Sequence, residues 1–335
     1  MAAEALRSVH GSKGSRIASK ADRRSREGLT NAVILVGVWL LLVIVSAIHR
    51  PDFISQQTFD SVAFTMSVLG ILALAEGLVT ISGGILDLSI PTALVVSSWV
   101  AVNLLQSGWN TPLVVALTVM TGAAWGFFNA LVIVYGKLNP IIVTLGTNFA
   151  GIAVMFLLFH IAQTPLHSPL SRFGVGYFLG LPNVFWPMLL LVLVVGFLVK
   201  RTRYGRRLMA VGGNAAAAKA RGISLAKTRF GVFSSAGALS GVAAILFVGS
   251  NSSFTPQDGS NYLLPAIAIT ILAGISLSGG RGHLWVILIA VGFLSTLPVS
   301  LVFFGLSSSW QTVVQGAILI VAVSIDRLRQ RGPAV

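Results

Sequence analysis

The chain has no cysteine, which excludes disulfides, thiolate metal sites and cysteine nucleophiles and leaves the redox compartment unconstrained. Charge is also scarce. Only 10% of the 335 residues are charged, against about 25% in a typical soluble domain. Acidic residues are rarest, nine against 23 basic ones. No G-x-x-x-x-G-K-[ST] occurs: Gly136-Lys137 is followed by Leu138 and lacks the upstream glycine, so nothing cradles phosphates. H-E-x-x-H is missing too, and the histidines at 10, 49, 160, 167 and 283 lack ligand spacing. No serine, histidine and acid can be argued to converge. Neither a catalytic set, a metal site nor a cofactor is expected.

What the chain does have is apolar sequence: 55% of its residues, with a mean hydropathy of +0.88. A spanning helix needs roughly 20 apolar residues. On that measure ten segments qualify: 30–48, 61–81, 88–105, 112–135, 140–161, 183–199, 230–249, 262–277, 284–304 and 310–325. The expected fold is therefore an all-α integral membrane protein of about ten transmembrane helices. The fourth segment is long enough to tilt, and the eighth is short.

Net charge is +14, but the cations sit in gaps between apolar runs, which argues for topology signals and anionic lipid rather than nucleic acid. With residues 1–29 inside, ten spans put 21 of the 23 Lys and Arg on the cytoplasmic side, leaving only Arg50 and Arg172 outside. Both termini are then cytoplasmic. Residues 1–29 read as a disordered basic tail, 30–326 as the membrane domain and 327–335 as a C-terminal tail. A cleaved leader ending near Ser46-Ala47 is the competing reading of the N-terminus, and it is disfavoured because the charged stretch before the apolar run is too long. Outside, residues 162–182 form the one sizeable loop, rich in Pro and Gly: an irregular lid or docking surface, or a simple connector.

The most informative stretch is 200–229, with nine cations and no acid. It reads as a turn, a short helix over 214–221 and a break at Gly222. Leu277-Ser278-Gly279-Gly280-Arg281 imitates an ABC-ATPase signature loop, but without a P-loop it reads as a tight turn in which glycine supplies positive φ. Gly122/Gly126 and Gly237/Gly241 are G-x-x-x-G pairs suited to close helix packing.

Polar residues within apolar sequence are costly and therefore informative. Glu76 lies inside the second segment. Asp87 lies in the break Gly83-Gly84-Ile85-Leu86-Asp87-Leu88-Ser89, where capping of the next helix is favoured over a pathway role. Two isolated carboxylates with no intramembrane cation make a poor proton relay. Asn129, Asn139, Thr144 and Asn148 crowd the fourth and fifth segments, either as helix-to-helix hydrogen bonds or as the wall of a hydrated pathway. Pro140 suits a first helical position.

Taken together these motifs resemble the permease subunits of ribose-type ABC sugar importers over about residues 60 to 330. The resemblance rests on the break at 83–89, on Gly126…Asn129, on Lys137…Pro140-Ile-Ile-Val-Thr144-Leu-Gly146, and above all on Thr202-Arg-Tyr204-Gly205-Arg206-Arg207, Gly212-Gly213-Asn214, Ala217-Ala218 and Gly222-Ile223. The break departs from the family, reading GGILDLSIPT where a Gly-Ile-Asp run followed by Val-Gly is usual. The resemblance implies a fold similar to the vitamin-B12 importer (type II) and a place in the bacterial inner membrane. It implies three partners: a cytoplasmic ABC ATPase, a periplasmic sugar-binding protein and a second permease subunit, identical or paralogous. It also implies that 200–229 couples to the ATPase while the permease itself hydrolyses nothing. An ion-coupled secondary transporter is the alternative, with Glu76 and the Gly83-Gly84 break offering a weak version of its coupling site.

Overall fold

A computed structural model describes residues 28–83, 85–159, 168–251 and 253–330. The helices are α1 (Gly28–His49), α2 (Gln56–Ile81), α3 (Ile90–Gln106), α4 (Thr111–Gly136), α5 (Pro140–Leu158), α6 (Pro169–Val175), α7 (Phe185–Arg201), α8 (Arg203–Gly213), α9 (Ala215–Ala220), α10 (Leu225–Ser250), α11 (Pro256–Leu272), α12 (Ile287–Phe303) and α13 (Ser308–Gln330). Each of the ten apolar segments overlaps a helix. Among the described residues six helices are long and apolar enough to cross a membrane, and the α7–α8 pair, bent by 73°, is a seventh if taken as one span.

The centre of the molecule is α2. From Met66 to Ile81 every residue is buried, whichever way it points. A helix that is apolar all round belongs inside a larger assembly of helices, and α3, α7, α10, α11 and α12 all pack against it.

The most extensive helix pair is α4 with α10, and glycine is the reason. A Cβ on Gly122 would collide with the Gly237 carbonyl, and one on Gly126 with the Phe233 carbonyl; reciprocally, a Cβ on Gly237 would strike the Gly122 carbonyl. The two G-x-x-x-G pairs therefore face each other, and their backbones meet where any side chain would hold them apart. Trp39 of α1 donates from Nε1 to Thr296 Oγ1 of α12 at 2.9 Å. Gly292 leaves the space the Trp39 ring occupies.

The helix boundaries differ from the apolar segments where polar capping extends a helix. Helix α11 begins at Pro256, six residues before the apolar segment, because Thr255 and Asp258 form a capping box and Pro256 takes the first turn. Helix α13 runs to Gln330, past the expected start of the tail at 327, while 331–335 and the basic tail up to residue 27 lie outside the described residues. In the loop at 162–182, residues 162–167 also lie outside them. The remainder is ordered rather than irregular: α6 is followed by a small hairpin pairing Tyr177 with Pro182 and Phe178 with Leu181. The Tyr177 hydroxyl donates to Asp60 on α2 at 2.7 Å, and Trp186 Nε1 donates to the Phe178 carbonyl at 3.1 Å.

Candidate functional site

The polar residues of the interior meet around the break between α2 and α3. Glu76 and Asp87 are both essentially buried, at 1% and 2% exposure. The Asp87 N–H is donated to both Glu76 carboxylate oxygens, at 3.3 Å each. Thr80 Oγ1, one turn further along α2, donates to Glu76 Oε1 at 3.4 Å. Asp87 Oδ1 accepts from the Ser89 N–H at 2.9 Å and the Ser89 hydroxyl at 2.7 Å. Asn129 of α4 then donates through Nδ2 to Ser89 Oγ at 2.6 Å.

Helix α5 closes the other side. Leu88 N–H donates to Thr144 Oγ1 at 3.2 Å. Thr92 of α3 donates to Asn148 Oδ1 at 2.6 Å. Thr144 and Asn148 are four residues apart and so share a helix face. One short irregular segment thus binds α2, α3, α4 and α5 together. Irregular backbone at membrane depth must be satisfied by protein or by water in a cavity, and here Glu76 of α2, Thr144 of α5 and the segment's own Asp87 accept its N–H groups. The Asn129 Oδ1 has no partner among the described residues.

Five of the six polar residues singled out by sequence belong to this network, and Asn139 does not. It is exposed and caps α5, its Oδ1 accepting from the Ile141 N–H at 2.9 Å. Two readings need correction. The carboxylates are not isolated, since Glu76 holds the backbone of Asp87. Nor does Asp87 cap α3 directly: the cap position is Ser89, and Asp87 fixes Ser89 instead.

The second constellation is the basic stretch. Residues 203–213, expected to be a turn, form the amphipathic helix α8. Gly205, Leu208 and Val211 face the protein, whereas Arg206 and Arg207 face outward. Glycines at 205, 212 and 213 lower helix propensity and hid the helix; the spacing of 205, 208, 211 and 212 was the signal for it. Thr202 makes the elbow after α7, donating to the Leu198 carbonyl at 2.6 Å and accepting from the Gly205 N–H at 3.4 Å. A Cβ on Gly205 would collide with Val199 backbone, so glycine is what lets the chain fold back so tightly. Arg206 Nη1 donates to the Arg201 carbonyl at 3.0 Å. Tyr204 lies near Gly231 of α10, where burial raises its hydroxyl pKa above the ordinary value, offset by a hydrogen bond with Ser235.

Asn214 then caps α9, its Oδ1 accepting from the Ala217 N–H at 2.9 Å. Gly222, at φ +79°, ends that helix. Its N–H donates to the Lys219 carbonyl at 2.9 Å and that of Ile223 to the Ala218 carbonyl at 3.0 Å, the paired bonds of a Schellman ending. Ala218 is buried, while Ala217, Gly213 and the cations Arg203, Arg206, Arg207, Lys219 and Arg221 are exposed. The result is a small-residue helix set in a cationic rim.

The 276–282 turn joins the two constellations. Gly280 N–H donates to the carbonyl of Ile81, the last residue of α2, at 2.8 Å. A Cβ on Gly212 of α8 would collide with that same carbonyl and approach Gly280 N at 2.6 Å. Sequence reasoning recognised the turn but not what it touches.

A helical membrane protein with a buried polar crossing and a cationic, amphipathic loop between spans has the form of a membrane transport component. Residues 58–323 match the family model described as branched-chain amino acid transport system / permease component, and the chain belongs to this family. It is 35% identical to the ribose import permease protein RbsC of Bacillus subtilis (strain 168) over 295 residues, 87% of this chain and 91% of that one. It is 31% identical to RbsC of Escherichia coli (strain K12), covering 88% and 93%. With the L-arabinose ABC transporter permease protein AraH of Azospirillum brasilense it shares 27% identity over 93% of each chain. No solved structure matches it.

Proposed function

We propose that this chain is the permease subunit of an ATP-driven ABC importer for a monosaccharide or sugar-like solute in the bacterial inner membrane. The observation that carries this reading is similarity along nearly the whole chain to permeases named for ribose and L-arabinose. The matched region contains both the polar crossing and the basic loop. The ion-coupled alternative gains nothing from the interior: among the described residues no cation pairs with Glu76 or Asp87, and both carboxylates are engaged in holding backbone.

In the full proposal ten helices cross the membrane with both termini inside, in an arrangement of the vitamin-B12-importer type. A second permease subunit, identical or paralogous, completes the pathway. The ATPase is a separate chain, since this one has no P-loop, and α8–α9 are its docking element through Tyr204, Arg206, Arg207, Gly213, Asn214 and Ala217. A periplasmic binding protein delivers solute to the outer face. Nucleotide binding biases a two-state arrangement of the helices. Glu76, Asp87, Asn129, Thr144 and Asn148 hold the irregular crossing that lies beside the pathway.

The test is uptake of labelled sugars into proteoliposomes containing this chain, its companion ATPase and its binding protein. Uptake that needs ATP and all three components supports the proposal. Uptake driven by an ion gradient without the ATPase would replace it with the secondary transporter.

A further inference from the structure

The 276–282 turn is built more firmly than a connector requires. Gly279, Gly280 and Gly282 have φ of +76°, +69° and +145°, a backbone path that other residues rarely take. The turn is closed by the Ser276 N–H to the Arg281 carbonyl at 3.1 Å and by the Gly279 N–H to the Ser276 carbonyl at 2.9 Å. Gly282 packs on Ile275, where a Cβ would come within 2.8 Å of the side chain. On either side of the turn, Ile275 and Leu284 both reach Gly77 of α2, each within 2.9 Å of the position of a Cβ there. The turn and its flanks therefore grip the last turns of α2, at Gly77 and again at Ile81.

Helix α8 sits against the same point. Gly212 fits only because it has no side chain: its Cβ position is filled by the Ile81 carbonyl and the Gly280 backbone. Conversely, a Cβ on Gly280 would lie 2.5 Å from Gly213 N and 2.6 Å from its Cα. Three backbones meet here with no side chain between them, so the contact has no rotamers through which to give. Ile81 follows Thr80, which bonds Glu76, which holds Asp87.

We propose that the 276–282 turn is a relay that clamps α8 to the C-terminal end of α2, so that displacement of α8 by the ATPase is delivered to the Glu76–Asp87 crossing. Gly212 and Gly280 are its positioning residues. The relay rests on the importer reading, and its distinguishing property is that α8, the turn and the end of α2 move as one body. A contact that merely closes the cytoplasmic face would let α8 move while the turn stays in place.

Two measurements test it. In proteoliposomes with ATPase and binding protein, Gly212→Ala and Gly280→Ala should lower uptake by about tenfold or more, within the usual range of coupling between sites, while the complex still hydrolyses ATP. Gly37→Ala, a helical glycine with open space around it, should transport normally. If the wild type shows no ATP-driven uptake, the importer reading itself fails. If the wild type and both glycine variants transport alike, the relay alone is wrong. Should the variants not assemble, the chain's lack of cysteine allows spin labels at Ala210→Cys and Ser278→Cys with the clamp glycines intact. The distance between these labels should be the same in nucleotide-free and ATP-bound complexes, while each moves relative to a label at Leu179→Cys on the outer hairpin. A change in the Ala210–Ser278 distance as large as those movements would overturn the relay.

Discussion

Glu76 and Asp87 stand eleven residues apart in the chain and are joined directly, the carboxylate of the first accepting the backbone N–H of the second through both oxygens. The bond folds the chain back on the end of α2 and fixes where α3 begins. It also gives Glu76 a structural task in a place where an acidic side chain invites a mechanistic one.

Replacing Glu76 tests that task. Glu76→Ala leaves a buried N–H without an acceptor, at a cost of about 1–3 kcal/mol, and should lower the unfolding temperature of the detergent-solubilised protein. Glu76→Gln keeps one carbonyl acceptor and should lose distinctly less. Equal melting of both variants and the wild type would show that the bond contributes nothing.

The α4–α10 seam gives a prediction with an internal control. Gly126→Ala forces a methyl group into the Phe233 carbonyl, and overpacking of this kind costs about 1–3 kcal/mol. Gly146→Ala, on the open face of α5, meets nothing within 4 Å and should melt like the wild type. Should Gly146→Ala fold normally yet impair transport, a second subunit approaching that face would be the direct explanation.

Asn214 caps α9, and the loss of such a cap costs about 1 kcal/mol. Asn214→Ala should therefore fray the helix proposed to meet the ATPase. ATP-driven uptake should fall several-fold while the amount of protein in the membrane is unchanged. Undiminished uptake would remove α9 from the coupling element.

The ten-span arrangement is tested by single cysteines, which have no native thiol to confuse them. Leu179→Cys should react with an impermeant maleimide from outside intact cells, and Ala216→Cys only after permeabilisation. Both positions are exposed. Labelling of both from the same side would break the even span count.

Much of the helix layout was legible because apolar length and cation placement are one-dimensional signals. Every apolar segment overlaps a helix, and the facing glycine pairs did what their spacing indicated. The misses share a physical cause. Helix α8 was hidden by glycines whose purpose is close approach to Val199, Ile81 and Gly280, contacts that no local propensity encodes. The Glu76–Asp87 pairing depends on the chain turning back after the end of α2, and a side-chain-to-backbone bond leaves no trace in residue type. Asn139 was grouped with Thr144 and Asn148 by proximity in sequence, but Pro140 starts the helix after it. That makes it a cap, outside the buried face.

The enclosure of α2 has a consequence for biogenesis. When this helix leaves the translocon it is surrounded by lipid, and the helices that will bury it have not yet been synthesised. An unaccompanied carboxylate would oppose its lateral release into hydrocarbon. Because the first partner of Glu76 is Thr80 and the next the backbone at Asp87, the nascent chain need lengthen by only eleven residues for that acid to find its hydrogen bonds. Both hydrogen-bond partners of that acid thus lie within one local loop, and neither depends on the long-range contacts that close around the central helix.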